Sequence, residues 1–189
     1  KGYTHLLITQ FKDQPSTMDA LDRMMNACNR GASLAEQLLA ISRKQKPVTN
    51  QFCAAPKALD TIEKLLAPLL PHEVVLKINE VPKNLQLKLP EDQFNQIMMN
   101  LIINARDAMM PGGGTVSITV TPPSDNNSTH ATFQISDTGV GIPSDIIDRI
   151  FEPFFTTKEL GKGTGLGLAV IYGIIQQYSG TILIDSTIG

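Results

Sequence analysis

The chain of 189 residues has no excess of positive charge: its formal net charge at pH 7 is −2 and its pI is about 5.9. General nucleic-acid binders need a large positive field for the phosphate backbone, so that class is set aside. Cysteine is scarce. Cys28 and Cys53 are the two present, too few and too irregularly spaced for a disulfide framework, which points to a reducing cytoplasmic setting. Long apolar runs are missing, with nothing near the roughly 18 residues of a membrane span, and no signal-peptide pattern opens the chain. Membrane attachment is therefore expected only through other parts of a parent protein. Internal repeats are absent too. What is present is 42% hydrophobic and 18% charged residues, the balance of a globular protein with one core and a helical appendage. The chain opens on KGYTHLL and stops on DSTIG without evident caps, so it reads as a piece of a longer protein.

Residues 16–45 read as one long helix. Ser16 with Asp19 resembles a capping box, and Met18, Leu21, Met25, Cys28, Ala32, Ala35 and Leu39 recur in alternating three- and four-residue steps. Such a seam either takes a partner helix or lays a surface helix on its own domain. The preceding KGYTHLLITQF also reads as helical, with KDQPS as the turn of an antiparallel pair. Polar KQKPVTNQ (44–51), containing Pro47, marks a boundary between segments 1–46 and 49–189. The second segment is expected to hold a helix near Ala58–Leu69 and strands VVLKIN (74–79) and LQLKL (85–89). A strong helix follows over 90–110, led by Pro90 and two acids. TVSITVTP (115–122) and THATFQISD (129–137) read as a hairpin around PSDNNS. A short helix near 144–149, a helix over 164–179 and a final strand TILID (181–185) complete the pattern. The fold class is α+β, with helices on one face of a largely antiparallel sheet.

Four places carry chemistry. On the helix over 90–110, Asn100, Asn104 and Asp107 stand at i, i+4 and i+7 and share a face. Ile97, Leu101, Ala105 and Ala108 form a second stripe that can face the sheet. Amide and carboxylate oxygens suit a hard cation such as Mg²⁺, which takes few protein ligands and completes its shell with substrate phosphates; a solvated polar face is the other reading. Asp137 shares parity with Phe133 and Ile135 and so points to the core side. A carboxylate there needs a donor. An adenine amino group would serve, and so would a turn amide, since Asp-Thr-Gly suits a turn. Gly139 and Gly141 let the backbone bend sharply or let something come close. IFEPFFTTK (150–158) places three phenylalanines beside a loop, which alone reads as an aromatic core plug, and Lys158 would suit a terminal phosphate. GKGTGLGLAV (161–170) has glycine at every second position and then a helix, whose first amides make a ready anion site. Its spacing fits neither the P-loop nor the dinucleotide fingerprint.

In their order, NLIINARDAM, DTGVGIP, FEPFFTTK and GKGTGLGLAVIYGI resemble the N box, first glycine box, F box and second glycine box of the sensor histidine kinases of bacterial two-component systems. These belong to the GHKL-type ATPase superfamily, with gyrase B, Hsp90 and MutL. The likeness is to a nitrogen-regulation/hybrid-kinase-like branch, and it covers nearly the whole chain. It implies an ATP-binding α/β sandwich of the histidine-kinase type over 49–189, lacking its last strand, preceded over 1–46 by part of a dimerisation and histidine-phosphotransfer helical hairpin. ATP and Mg²⁺ are the implied cofactors, with Asn100 as metal ligand and Asn104 and Asp107 on the same nucleotide-facing side. Asp137 would accept the adenine amino hydrogen, with Gly139, Gly141 and Ile142 beside the base. Phe154, Thr157 and Lys158 would open the ATP lid, and Gly161, Gly163, Thr164, Gly165, Leu166, Gly167 and Leu168 would line the phosphates.

The implied activity is an ATP-dependent protein-histidine kinase, which autophosphorylates a histidine and passes the phosphoryl group to a response-regulator receiver aspartate. The implied assembly is a homodimer through the N-terminal helices, without nucleic acid, in the bacterial cytoplasm. The acceptor is expected upstream of Lys1: His5 is followed by Leu6 where the family has an acid, and His72 and His130 read as ordinary surface residues. Asn95 stands where related kinases often carry glutamate. Two other readings are kept: a nucleotide-sensing, non-transferring partner-binding module, and an ATPase clamp of the gyrase or Hsp90 type, which the short chain, the F box and the heptad helix disfavour.

Overall fold

The computed structural model describes residues 51–124, 130–159 and 163–189, together with Thr17, residues 19–21 and 23–25, and Gly31. The chain divides into two compact units, Lys1–Lys44 and Gln45–Gly189. Each described residue of the first unit is helical and Leu21 is buried. Arg23 reaches back to Asp19 at 2.9 Å, an i, i+4 ion pair on a helix surface. Ser16, the seam positions Met18, Cys28, Ala32, Ala35 and Leu39, the KDQPS turn, Pro47 and Gly161 lie outside the described residues.

In the second unit the strands β1 (Cys53–Ala54) and β3 (Gln86–Leu87) pair with each other, antiparallel. LQLKL thus contributes two residues to a ladder, and its partner is a strand that no alternation announced. The main sheet has the order β2 (Val74–Ile78), β4 (Gly114–Thr121), β5 (Thr132–Asp137). The expected hairpin is there, with β4 and β5 antiparallel, but β2 runs parallel to β4. A parallel pair needs a long crossover, and the helix between these strands supplies it.

The helix α1 (Ala55–Leu66) begins earlier than its pattern suggested, with Pro56 in its first turn, and buries Ala58, Leu59, Ile62 and Leu66. The crossover helix α2 (Glu91–Ala108) follows Pro90, and its first turn carries Glu91 and Asp92, whose charge suits the unpaired amides there. Its buried residues are Phe94, Met98, Ile102 and Ala105, with Met109 just beyond. This stripe is turned by one position from the expected Ile97, Leu101 and Ala108, which are half-buried. The reason is that α2 touches α1, β4, β5 and the last helix α3 (Gly167–Gln177). Apolar residues are needed around most of its girth, and the centre of the stripe is not legible from spacing.

Val116, Ile118 and Val120 form the inward row of β4, opposite Asp137, Ile135 and Phe133 of β5. Phe94 closes on Phe133 edge-on, with ring centres 5.3 Å apart. A single 3-10 turn, Ile147–Arg149, stands where the short helix was expected. TILID forms no strand. Its residues alternate between exposed and half-buried as a strand would, yet make no ladder. Alternation decides which face is covered, whereas a strand also needs a paired backbone. Among the described residues no helix is long and apolar enough to cross a membrane.

Candidate functional site

The polar face of α2 meets a lysine from a distant loop. Lys158 Nζ donates to Asp107 Oδ2 at 2.5 Å and to Asn104 Oδ1 at 3.2 Å. The other carboxylate oxygen, Asp107 Oδ1, accepts from Arg106 Nη2 at 2.6 Å and Nε at 2.9 Å. Arg106 also donates to the Leu69 carbonyl at 3.2 Å. The side chains of Lys158 and Asp107 are 34% and 27% exposed, so this pair sits at the edge of the interior. Burial alone would raise the Asp107 carboxyl, but the hydrogen bonds and charges of Lys158 and Arg106 outweigh it and hold the group below its ordinary value. Arg106 was not anticipated. Adjacent helix positions point to different faces, and only the length of the arginine brings its head back to Asp107.

Asn100 lies one turn before Asn104, facing the start of α3: a Cβ placed on Gly167 would stand 3.4 Å from Asn100 Oδ1. The loop holding Lys158 is joined to the second glycine-rich segment by main chain. Phe154 N–H donates to the Gly165 carbonyl at 2.9 Å. Both residues take the left-handed backbone conformation, Phe154 at φ 69° and Gly165 at φ 64°. A side chain on Gly165 would collide with the Phe154 backbone, and one on Gly163 would come within 2.6 Å of Thr156 Oγ1. The glycines therefore serve contact between two protein segments as well as any ligand. Thr164 Oγ1 accepts from Leu166 N–H at 3.3 Å, turning the chain into α3. Leu166 itself is fully buried and Leu168 half-buried, while Thr157 is exposed. The phenylalanines do not plug the core. Phe154 is 62% exposed, Phe151 packs against Tyr172 of α3, and Phe155 lies beneath the Arg149 guanidinium, 4.6 Å from its carbon.

Asp137 continues the inward row of β5 opposite Val116, but at the strand's end, where it is exposed. Its Oδ1 accepts from Gly139 N–H at 2.9 Å, the turn arrangement that Asp-Thr-Gly allows. The two glycines that follow are approached closely by the protein itself. A Cβ on Gly139 would stand 2.8 Å from Ala108 Cβ at the end of α2, and one on Gly141 would strike the Thr187 carbonyl. Val140 N–H donates to the Ala108 carbonyl at 3.1 Å, and Ile142 N–H to Ser186 Oγ at 2.8 Å. Ser186 lies 44 positions away in sequence, and nothing local could have signalled it. Among the described residues no cluster of three or more His, Cys, Asp or Glu gathers into a metal cage. The amide oxygens of Asn100 and Asn104 suit an ion that takes few protein ligands and shares the rest with phosphates, whereas both carboxylate oxygens of Asp107 accept from Lys158 and Arg106.

These three loops and the α2 face fall within one stretch. The model of the histidine kinase-, DNA gyrase B-, and HSP90-like ATPases matches residues 90–189. The chain belongs to this ATPase family. Within it the chain is 42% identical over 196 residues to the sensor kinase CckA of Brucella abortus (strain 2308), an alignment covering 97% of this chain and 20% of that protein. The chain thus spans about a fifth of that relative's own length. Full-length ShkA, solved in complex with AMPPNP, superposes with a TM-score of 0.74 at 22% identity, over 98% of this chain and 40% of that one. The histidine kinase ThkA, solved in complex with the response regulator protein TrrA, gives a TM-score of 0.65 at 19% identity, over 95% of this chain and 50% of that one. At such identities the two structures show a shared α+β fold. The chain is thus a GHKL-type ATPase domain similar to sensor histidine kinases, and the family's nucleotide is ATP.

Proposed function

We propose that this chain is the ATP-binding catalytic part of a protein-histidine kinase, with residues 1–46 belonging to its dimerisation hairpin. The observation that carries the reading is the convergence of Asn100, Asn104 and Asp107 with Lys158 and the start of α3. Asp137 would accept the adenine amino hydrogen, exchanging the Gly139 amide it now holds for a ligand donor. The amides of Gly163, Gly165 and Gly167 would face the β- and γ-phosphates, and Lys158 and Arg106 would counter their charge. Asn100 would ligate Mg²⁺, which when bound neutralises phosphate oxygens. An imidazole nitrogen on the hairpin of the whole protein would attack the γ-phosphorus in line, forming the N–P bond as the bond from the γ-phosphorus to the β–γ bridging oxygen breaks and ADP leaves. The work of the residues named here is positioning and charge stabilisation. The phosphoryl group would pass to a receiver-domain aspartate; the regulator complex of the structural relative ThkA supports that class of partner. A homodimer in the bacterial cytoplasm completes the proposal.

Calorimetry of ATP binding with Mg²⁺ tests it, on this chain and on Asp137→Asn. Exchanging the acceptor for an amide should weaken binding about tenfold or more, the scale of one hydrogen bond to a charged group. If neither protein binds ATP, the glycine loops serve only internal packing and the partner-binding module replaces the kinase.

A further inference from the structure

The Lys158 ammonium is held by one amide oxygen and one carboxylate on the polar face of α2, at 3.2 Å from Asn104 and 2.5 Å from Asp107. Those oxygens are the kind a hard cation would use. A lysine therefore stands as counter-ion on the surface proposed for a metal–triphosphate. The consequence for the loop is mechanical. Lys158 N–H donates to Thr156 Oγ1 at 3.2 Å, Phe154 N–H to the Gly165 carbonyl at 2.9 Å and Phe155 N–H to the Glu152 carbonyl at 3.2 Å, and the lysine head ties these residues to α2. Asp107 is itself braced by Arg106, which is tied to the Leu69 carbonyl. The anchor thus belongs to the helical layer and not to the loop.

We propose that Asp107 is a positioning residue that latches Lys158, and with it residues 154–158, onto α2 in the absence of nucleotide, and that a triphosphate releases the latch by offering the ammonium its own oxygens. This rests on the ATP-site reading above. The latch costs affinity, because the Lys158–Asp107 pair must open before the lysine can meet a phosphate. It also keeps the cation from solution while the site is empty, since a half-buried lysine keeps an anionic partner.

Two measurements on the 189-residue chain, with Asp107→Asn and Lys158→Met, separate the latch from the reading beneath it. The first is amide hydrogen exchange without nucleotide. Both variants should speed exchange at the Phe154 amide about fivefold, the scale of one ion pair near the surface, and leave the paired amides of β4 unchanged. The second is calorimetry with Mg²⁺ and a non-hydrolysable ATP analogue, with adenosine as control. Asp107→Asn should tighten the analogue about fivefold and Lys158→Met should weaken it, adenosine binding staying constant in both. In the double variant the gain from Asp107→Asn should vanish, because no lysine is left to release. Unchanged loop exchange in both variants overturns the latch even where nucleotide binds. So does an Asp107→Asn chain that binds the analogue no better than the parent, since the carboxylate then does not compete for the lysine. An analogue that fails to bind the unaltered chain, with loop exchange responding as expected, overturns the ATP-site reading and the nucleotide release, and leaves Asp107 as a purely structural anchor.

Discussion

Asp107 carries two cations on one carboxylate, and its protonation should be felt in stability. Its folded-state value is lowered, because hydrogen bonds and charge from Lys158 and Arg106 exceed the opposing effect of burial. A lowered carboxyl contributes stability above its unfolded value and loses it as pH falls through the folded one. Denaturant melts from pH 7 downward should therefore show Asp107→Asn less stable by at most about 1 kcal/mol at neutral pH. That difference should close in acid, below the ordinary aspartate range near pH 4. The residue was legible from its place three positions after Asn104 on a helix. Its partners were not: Lys158 is 51 positions away, and Arg106 is a neighbour whose helical position points elsewhere. Asp137 shows the same limit from the other side. Strand parity placed it on the inward row, but the core-packed residues of that row end at Ile135, two positions earlier, so the carboxylate is exposed and turns back to Gly139.

Elements meet where side chains are missing, and the glycines sort into those that matter and those that do not. Gly165 holds a left-handed backbone against Phe154, where a methyl group has no space. Gly165→Ala should cost about 1–3 kcal/mol from conformational strain, and more from the collision, in a urea melt. Gly173, inside α3, has nothing within 4 Å of an added Cβ. Gly173→Ala should stabilise by about 0.5–1 kcal/mol, because alanine loses less backbone freedom on entering a helix. A reading that treated glycine as a ligand signal would not separate these two. The helix α2 and the β4–β5 hairpin were legible because their patterns are long and their ends are marked by proline, acids and glycines. β1 and β3 were not. Strands of two residues have no period, and their pairing joins segments over 30 positions apart.

The whole molecule decides the state of Cys53. Its thiol is fully buried beside the α1–α2 core and is pushed up to about 11, by burial first and by the charge of Glu91 second. Alkylation at pH 8 in a Cys28→Ser background should be at least about 100-fold slower folded than in urea, because thiolate, not thiol, reacts. Its rate should follow global opening, measured in parallel by circular dichroism. A fast reaction in the native state would show that the layer over Cys53 opens locally.

The sequence by itself determined what local pattern can carry. It set the α+β class, the long helix with three polar side chains on one face, the hairpin, and the order of motifs that marks the ATPase family. Helical and strand periods are local properties, and glycine and proline act on their own backbone. Only the tertiary structure decided the parallel pairing of β2 with β4, the turn of the α2 core stripe by one position, and the failure of TILID to join a ladder. It alone brought Lys158 to Asp107, Gly165 to Phe154 and Ser186 to Ile142. Those are contacts between residues distant in the chain, settled by how the layers pack, and no spacing within one segment encodes them.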